Sequence, residues 1–351
     1  MSDRPETPVL DHAFYKIMLK RRTALIAVLL GLAALLLVLN IALGSSPISL
    51  GEVFRVLLTG TGRGNNLLII RDIRLPMSLM ALAVGAALGM GGCEIQTILR
   101  NPIASPFTLG ITNAATFGAA LGLILNTNVL KVSESVMVTA NAFVFALLAS
   151  VCIYAFSTRA GAGKGSIVLF GIALNFFFTA LTMILQYVSD SEDLKSLVFW
   201  NMGSLLKTNW TKLFIVLGAL LFCFIIFYKN AWKLTAMTLD DTKAKSLGVD
   251  VQKIRRMVII LTSLVTAFAV SFVGSIGFVG IIAPHIARQL VGEDQRYFLT
   301  LSALIGAVVV ALSFTISKII IPGVVLPIGL VTAIVGIPVF LSIIFREMEA
   351  M

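Results

Sequence analysis

Apolar runs of roughly twenty residues, the length that crosses a bilayer core, recur in this chain from Ala24 almost to the C-terminus. They leave no stretch long enough for a water-soluble domain. Hydrophobic residues make up 58% of the 351 and charged ones only 13%, against about a quarter charged in an ordinary globular protein. That much apolar surface cannot be hidden from water, so the solvent is lipid. The chain reads as an all-α, polytopic membrane protein of about ten transmembrane helices. Spans are expected at 23–43, 68–91, 105–125, 135–157, 164–188, 211–228, 255–274, 275–290, 298–318 and 326–346, the eighth short and rich in glycine. Residues 1–22 form an N-terminal tail, 23–346 the membrane domain and 347–351 a C-terminal tail.

An even number of spans puts both termini on one side, and the basic residues say which. The tail with Lys20, Arg21 and Arg22, the turns at Arg100, Arg159–Lys164 and Arg288–Arg296, and the loop 229–256 hold most of the 27 Lys and Arg. The richer side is cytoplasmic. The loop 189–210 carries Asp190, Glu192 and Asp193, as suits an outer face. The formal charge of +10 therefore reads as topology, not as a nucleic-acid surface. The run Ala24–Leu43 exceeds the usual 7–15-residue core of a signal peptide, so an uncleaved first span is expected. Cys93, Cys152 and Cys223 each lie in an apolar run without metal-ligand spacing and read as buried small residues.

Catalytic and metal-binding constellations are missing from the pattern. GAGKGS at 161–166 fails the phosphate-loop consensus at two places, with Thr158 at the first glycine and Gly165 after the lysine. It reads as a turn between spans, and no ATP site is expected. Of the two histidines, His12 lies in the tail and His285 at the mouth of a span. Ionisable residues inside spans, the mark of ion-coupled carriers, are nearly absent: Glu94 is expected to reach the cytoplasmic interface, and Lys318 to snorkel at the outer one. Energy must then come from a partner, and the loop 229–256 is the place to receive it. Asp240 and Asp241 precede Lys243 and Lys245, Ala244 and Leu247 are spaced to share a helical face, and Gly248 makes a stop. A short helix lying across the cytoplasmic surface is expected there.

Several ordered motifs resemble one family. Arg74-Leu75-Pro76, Gly85–Leu88, Gly92, Gln96, Asn101–Ala104, Pro106 and Leu109–Ile111 are followed by GIALN (171–175), W-x-M-G-S (200–204) and A-x-x-L-G-V (244–249). IGFVGIIAPHIAR (276–288) and P-I-G-L-V-T-A-x-x-G-x-P-x-F (327–340) complete the set. From about 68 to 346 the chain resembles the permeases of bacterial ABC importers for iron–siderophore complexes, haem and cobalamin. The resemblance implies a ten-helix, type II importer subunit in a homodimer or paired heterodimer, in the bacterial inner membrane. Two ATP-binding subunits would dock on the 229–256 loop, and a periplasmic or lipid-anchored binding protein would deliver an iron chelate, with ATP consumed by the partner.

By that resemblance Asp240, Asp241, Ala244, Leu247, Gly248 and Arg255 belong to ATPase coupling, and Arg71, Arg74 and Lys318 to binding-protein docking. Gln96, Asn113 and Asn175 are assigned to the translocation pathway, with interhelical hydrogen bonding as the alternative. Gly274, Gly277 and Gly280, three apart and followed by Pro284, are taken as a smooth helix face with a weakened end, for gating or packing. The pattern also departs from the family: Met77 replaces an Arg, Asp240-Asp241 a Gly-Glu pair, Phe314 and Val325 an Asp and a Glu, Lys318 an Arg, and Ala114 a Gly. The expected function is Fe(III)–siderophore import, with haem or cobalamin import next and a stand-alone secondary transporter as the rival from another class.

Overall fold

The computed structural model describes residues 12–44, 46–125, 133–159 and 163–349, and among them regular structure is helical apart from one isolated bridge, Ile321–Val324. Ten helices meet the ten expected spans. They are α1 (His12–Ala42), α4 (Leu75–Leu99), α5 (Ile111–Ile124), α6 (Glu134–Ser157), α7 (Lys164–Val188), α9 (Trp210–Lys229), α12 (Val251–Val273), α13 (Val279–Val291), α14 (Gln295–Ile319) and α15 (Ile328–Glu349). Between them lie α2 (Leu50–Thr59), α3 (Asn66–Leu68), α8 (Ser191–Asn201), α10 (Ala231–Met237) and α11 (Asp241–Ser246).

Helix α4 is the hub. It is apolar on every side, as a helix surrounded by protein must be, and from Ala83 to Leu99 all but Ala86 are buried. It packs on α14, α13, α12 and α9, while α1 lies along α14 and α5 is held by α6 and α7. Lipid tails are as apolar as leucine, so close backbone approach has to replace the hydrophobic drive. At Gly85 a Cβ would overlap the carbonyl oxygen of Gly306 on α14, and at Gly92 it would overlap that of Gly280. Only glycine permits those crossings.

Two expected spans are shorter than drawn. The 105–125 span begins its helix at Ile111, because Pro102, Pro106 and the positive φ of Gly110 (82°) keep 101–110 out of a helix. The 275–290 span begins at Val279, and its 13 residues cover about 20 Å at 1.5 Å per residue, less than a bilayer core. Cys152 is exposed on α6, unlike buried Cys93 and Cys223, so the expectation of three buried thiols fails there. Glu94 is 0% exposed and neither carboxylate oxygen has a hydrogen-bond partner among the described residues, so it does not reach the interface.

One end of the bundle is sewn together by polar contacts. Arg22 of α1 meets Asp294 (3.4 Å) and donates to the Val291 carbonyl (3.0 Å). Thr235 of α10 accepts from the Gln295 amide (3.1 Å), and the Gln295 side chain donates to Thr97 of α4 (2.7 Å). The start of α1, the α13–α14 turn and α10 therefore share an end with the last turn of α4, as alternating spans require.

Candidate functional site

The segment after α9 folds into two short helices at that end. Asp240 caps α11 by accepting from the Thr242 amide (3.3 Å), and the Gly248 amide donates to the Lys245 carbonyl (2.9 Å) with φ at +81°. The helix stops where the glycine spacing predicts. Ala244 and Leu247, however, do not share a face: Ala244 is 0% exposed and Leu247 49%. The helix ends at Ser246, which swings Leu247 outward. Ala244 thus anchors α11 to the bundle and is not presented to a partner, a correction to the coupling set. Thr242, Lys243, Lys245 and Ser246 of α11, and Leu247 just after it, face solvent.

Asp241 is the junction of this segment. Its carboxylate accepts from Arg255 on α12 at 2.9 Å and pairs with Lys164 on α7 at 2.8 Å. The Arg255 side chain is 3% exposed. Burial pushes the Asp241 carboxyl up, but Lys164 and Arg255 outweigh it and hold it below its ordinary value. Asp240 is held down chiefly by the Thr242 amide, with Arg100 at 3.5 Å adding to the effect. In the sequence Arg100 is only a topology signal, and Lys164 is that and the lysine of the GAGKGS turn. Their pairing with Asp240 and Asp241 links residues far apart in the chain, and no local spacing announces it.

The opposite end corrects the docking set. Arg74 is 8% exposed, and its guanidinium donates to the carbonyls of Ile41 (2.8 Å), Ala42 (3.0 Å) and Ser46. Lys318 donates to the Asn40 carbonyl at 2.7 Å, its ammonium 3.7 Å from the centre of the Phe314 ring. Both cations are spent on the free carbonyls where α1 ends, the place that favours positive charge. Neither is a rim charge. Arg71, one turn earlier, is exposed.

Of the three pathway residues, two come together. Asn113 on α5 donates to the Asn175 side chain on α7 and to Thr179 (2.8 Å), and Asn175 reaches the Phe107 carbonyl (3.5 Å). Both amides are half-buried. Gln96 is elsewhere, 1% exposed, donating to the Gly280 carbonyl (3.4 Å) and accepting from Arg288 (3.2 Å). It braces α13 from a buried position.

The expected glycine face does not form. Gly274 ends α12 with φ at 77°, residues 274–278 are irregular, and Gly280 lies in the first turn of α13. The break falls there and Pro284 sits inside α13, so the ladder is interrupted earlier than the proline suggested. Gly277 has nothing within 4 Å of where a Cβ would stand. Above the break, at the end away from α11, opens a cavity of about 880 Å³. Its walls come from the starts of α6 and α9, from α8 and from the end of α12, with Glu134, Glu192, Lys195, Lys207 and Lys212 among the lining residues. Helix α8 is begun by Asp190, which accepts from the amides of Glu192 (3.0 Å) and Asp193 (2.9 Å). The sequence reads this run of acids as a loop between spans, not as a capped helix.

The model of the FecCD transport family matches residues 32–346. This chain belongs to that family. Relatives of FecCD type include an Fe(3+)-citrate import system permease of Bacillus subtilis, 34% identical over 93% of this chain and 97% of its own. The hemin transport system permease of Yersinia pestis is 32% identical over 92% and 96%. A molybdate import system permease of Haemophilus influenzae is 35% identical over 79% and 81%. A solved metal-chelate type ABC transporter in an inward-facing conformation superposes with a TM-score of 0.81 at 30% identity, covering 92% of this chain and 99% of that one. The FecCD chain is thus an ABC importer permease of the metal-chelate type and a multi-pass inner-membrane protein.

Proposed function

We propose that this permease carries an iron chelate, an Fe(III)–siderophore before others, across the inner membrane, and that the energy comes from two ATP-binding subunits docked on α10–α11. The observation that carries the coupling half is the short helix α11, closed by its own caps and pinned by Asp241 to α7 and α12 while leaving Leu247 outward. The end that holds α11 also holds Arg22, Arg100 and Lys164, and this basic bias supports a cytoplasmic placement with both termini on that side. The chain itself hydrolyses nothing in this reading. It pairs with a second permease copy or a paralogue, and a binding protein meets the opposite end, where exposed Arg71 remains the candidate contact.

The chelate reading draws on the Fe(3+)-citrate relative. Haem is the second reading, favoured by the hemin relative that aligns over 92% of this chain. A strain lacking the permease gene, with and without the gene returned on a plasmid and supplied in turn with Fe(III)–citrate, a trihydroxamate Fe(III) chelate, hemin, cobalamin and molybdate, separates them. Restored uptake of an Fe(III) chelate is the expected result. Restoration by hemin, cobalamin or molybdate alone overturns it.

A further inference from the structure

Lys164 is the first residue of α7, where the helix dipole disfavours a cation. A carboxylate offsets that, and the one it meets belongs to the coupling helix: Lys164 Nζ stands 2.8 Å from Asp241 Oδ1. Asp241 is itself fixed from the other side by Arg255, whose side chain is 3% exposed. The carboxylate is therefore oriented from two sides, by the backbone of α11 and by a buried guanidinium of α12.

Packing holds α7 at this end on one side only: Ile167 is buried in the core and Phe170 stacks on Phe156 at 4.3 Å. A cavity of about 400 Å³ opens between Arg100–Pro102 after α4 and the first turns of α7, reaching from Lys164 and Gly165 to Ile172. On that open flank the ion pair is the restraint on the helix start, beside the core contact of Ile167 on the other face. Further along α7 is Asn175, joined to Asn113 on α5. Eleven residues of helix set Asn175 about 16 Å from Lys164, and a continuous helix moves as a rod over that length.

We infer that Lys164 and Asp241 form a positioning pair that makes α7 follow the coupling helix, so that a displacement of α11 reaches the Asn113–Asn175 contact. This rests on the proposed docking of ATPases at α11. Neither side chain touches substrate in this scheme, and Arg255 keeps Asp241 in place when Lys164 is removed. Loss of Lys164 should therefore uncouple the machine and leave its assembly whole.

The test uses the full complex, permease with its ATPase subunits, in proteoliposomes. It compares wild type, Lys164→Met and Lys164→Arg by co-purified ATPase, ATP hydrolysis, and import of a trihydroxamate Fe(III) chelate. A second readout needs no substrate: the thiol reactivity of Asn175→Cys, in a background lacking Cys93, Cys152 and Cys223, with and without trapped ATP. Lys164→Met is expected to keep its ATPase subunits and hydrolyse ATP. Chelate imported per ATP should fall at least about fivefold, the low end of ordinary coupling energies, and the ATP-dependent change at Asn175→Cys should vanish. Lys164→Arg should restore both. An unaltered ATP-dependent change at Asn175→Cys in Lys164→Met overturns the pair, as does loss of ATPase subunits in parallel with import. If the wild-type permease binds no ATPase, the docking reading and the pair fall together. If it binds ATPase but imports no Fe(III) chelate, only the substrate reading fails, and the thiol readout still decides the pair.

Discussion

Arg74 and Lys318 show how one residue type serves two ends. From the sequence both are basic residues near the outer boundary, and family resemblance makes them contacts for a binding protein. In the fold they close the C-terminus of α1 on the carbonyls of Asn40, Ile41, Ala42 and Ser46. Arg74→Met strands the buried Ile41 carbonyl, a change that costs about 1–3 kcal/mol. Both Arg74→Met and Lys318→Met should therefore lower the melting temperature of the purified permease and loosen α1, read as faster proteolysis near 43–46. Neither should change the salt dependence of binding-protein association. Unchanged stability with slowed, salt-sensitive association would return these residues to the rim. The sequence could not reveal this, because the acceptors are backbone carbonyls remote in the chain, 33 residues from Arg74 to Ile41 and 278 from Lys318 to Asn40.

At the scale of the element, the glycines divide into two kinds that composition cannot separate. Gly85 and Gly92 lie where α4 meets the backbones of α14 and α13, whereas Gly277 borders open space. Alanine at Gly85 or Gly92 should force α4 away from its partners and cost several kilocalories per mole, in the range of overpacked cores at about 1–3 kcal/mol or more. Gly277→Ala should be near neutral in detergent melts and in yield. Equal damage at all three positions would contradict the packing described. Helix α11 makes a separate prediction through pH. Asp241 titrates below its ordinary 3.8 in the folded chain, so its ion pairs contribute fully above that value and are lost as pH falls through the folded one. The α7–α11 link should thus be constant from neutral pH to about 5 and weaken only below about 4. Hydrogen exchange in α11 that rises already between pH 7 and 5 would rule the pair out as the restraint.

For the whole molecule, what was legible follows from what lipid demands. Span length and apolarity are properties of consecutive residues, so ten helices and their alternation could be read directly. Gly248 and Asp240 likewise act within one turn. What escaped depends on partners remote in the chain: the Asp241 junction, the burial of Ala244 and Arg74, the break at 274–278 and the cavity beside α8. The pathway assignment sits between these cases. Asn113 and Asn175 meet, a pairing that neither residue's surroundings in the sequence announced. A half-buried hydrogen bond between α5 and α7 fits a packing contact as well as a pathway wall, since such bonds are modest in membranes. Water access distinguishes them. A pathway wall must be wet in at least one state of the cycle, whereas a packing amide stays dry throughout. Asn175→Cys, in a background without Cys93, Cys152 and Cys223, should react with a small charged thiol reagent in the complex, at a rate that changes when ATP is trapped. Leu169→Cys, on the exposed face of α7, serves as the companion position on the same helix. Asn175→Cys unreactive in every nucleotide state would leave the Asn113–Asn175 pair as helix packing and move the pathway to the 274–278 break.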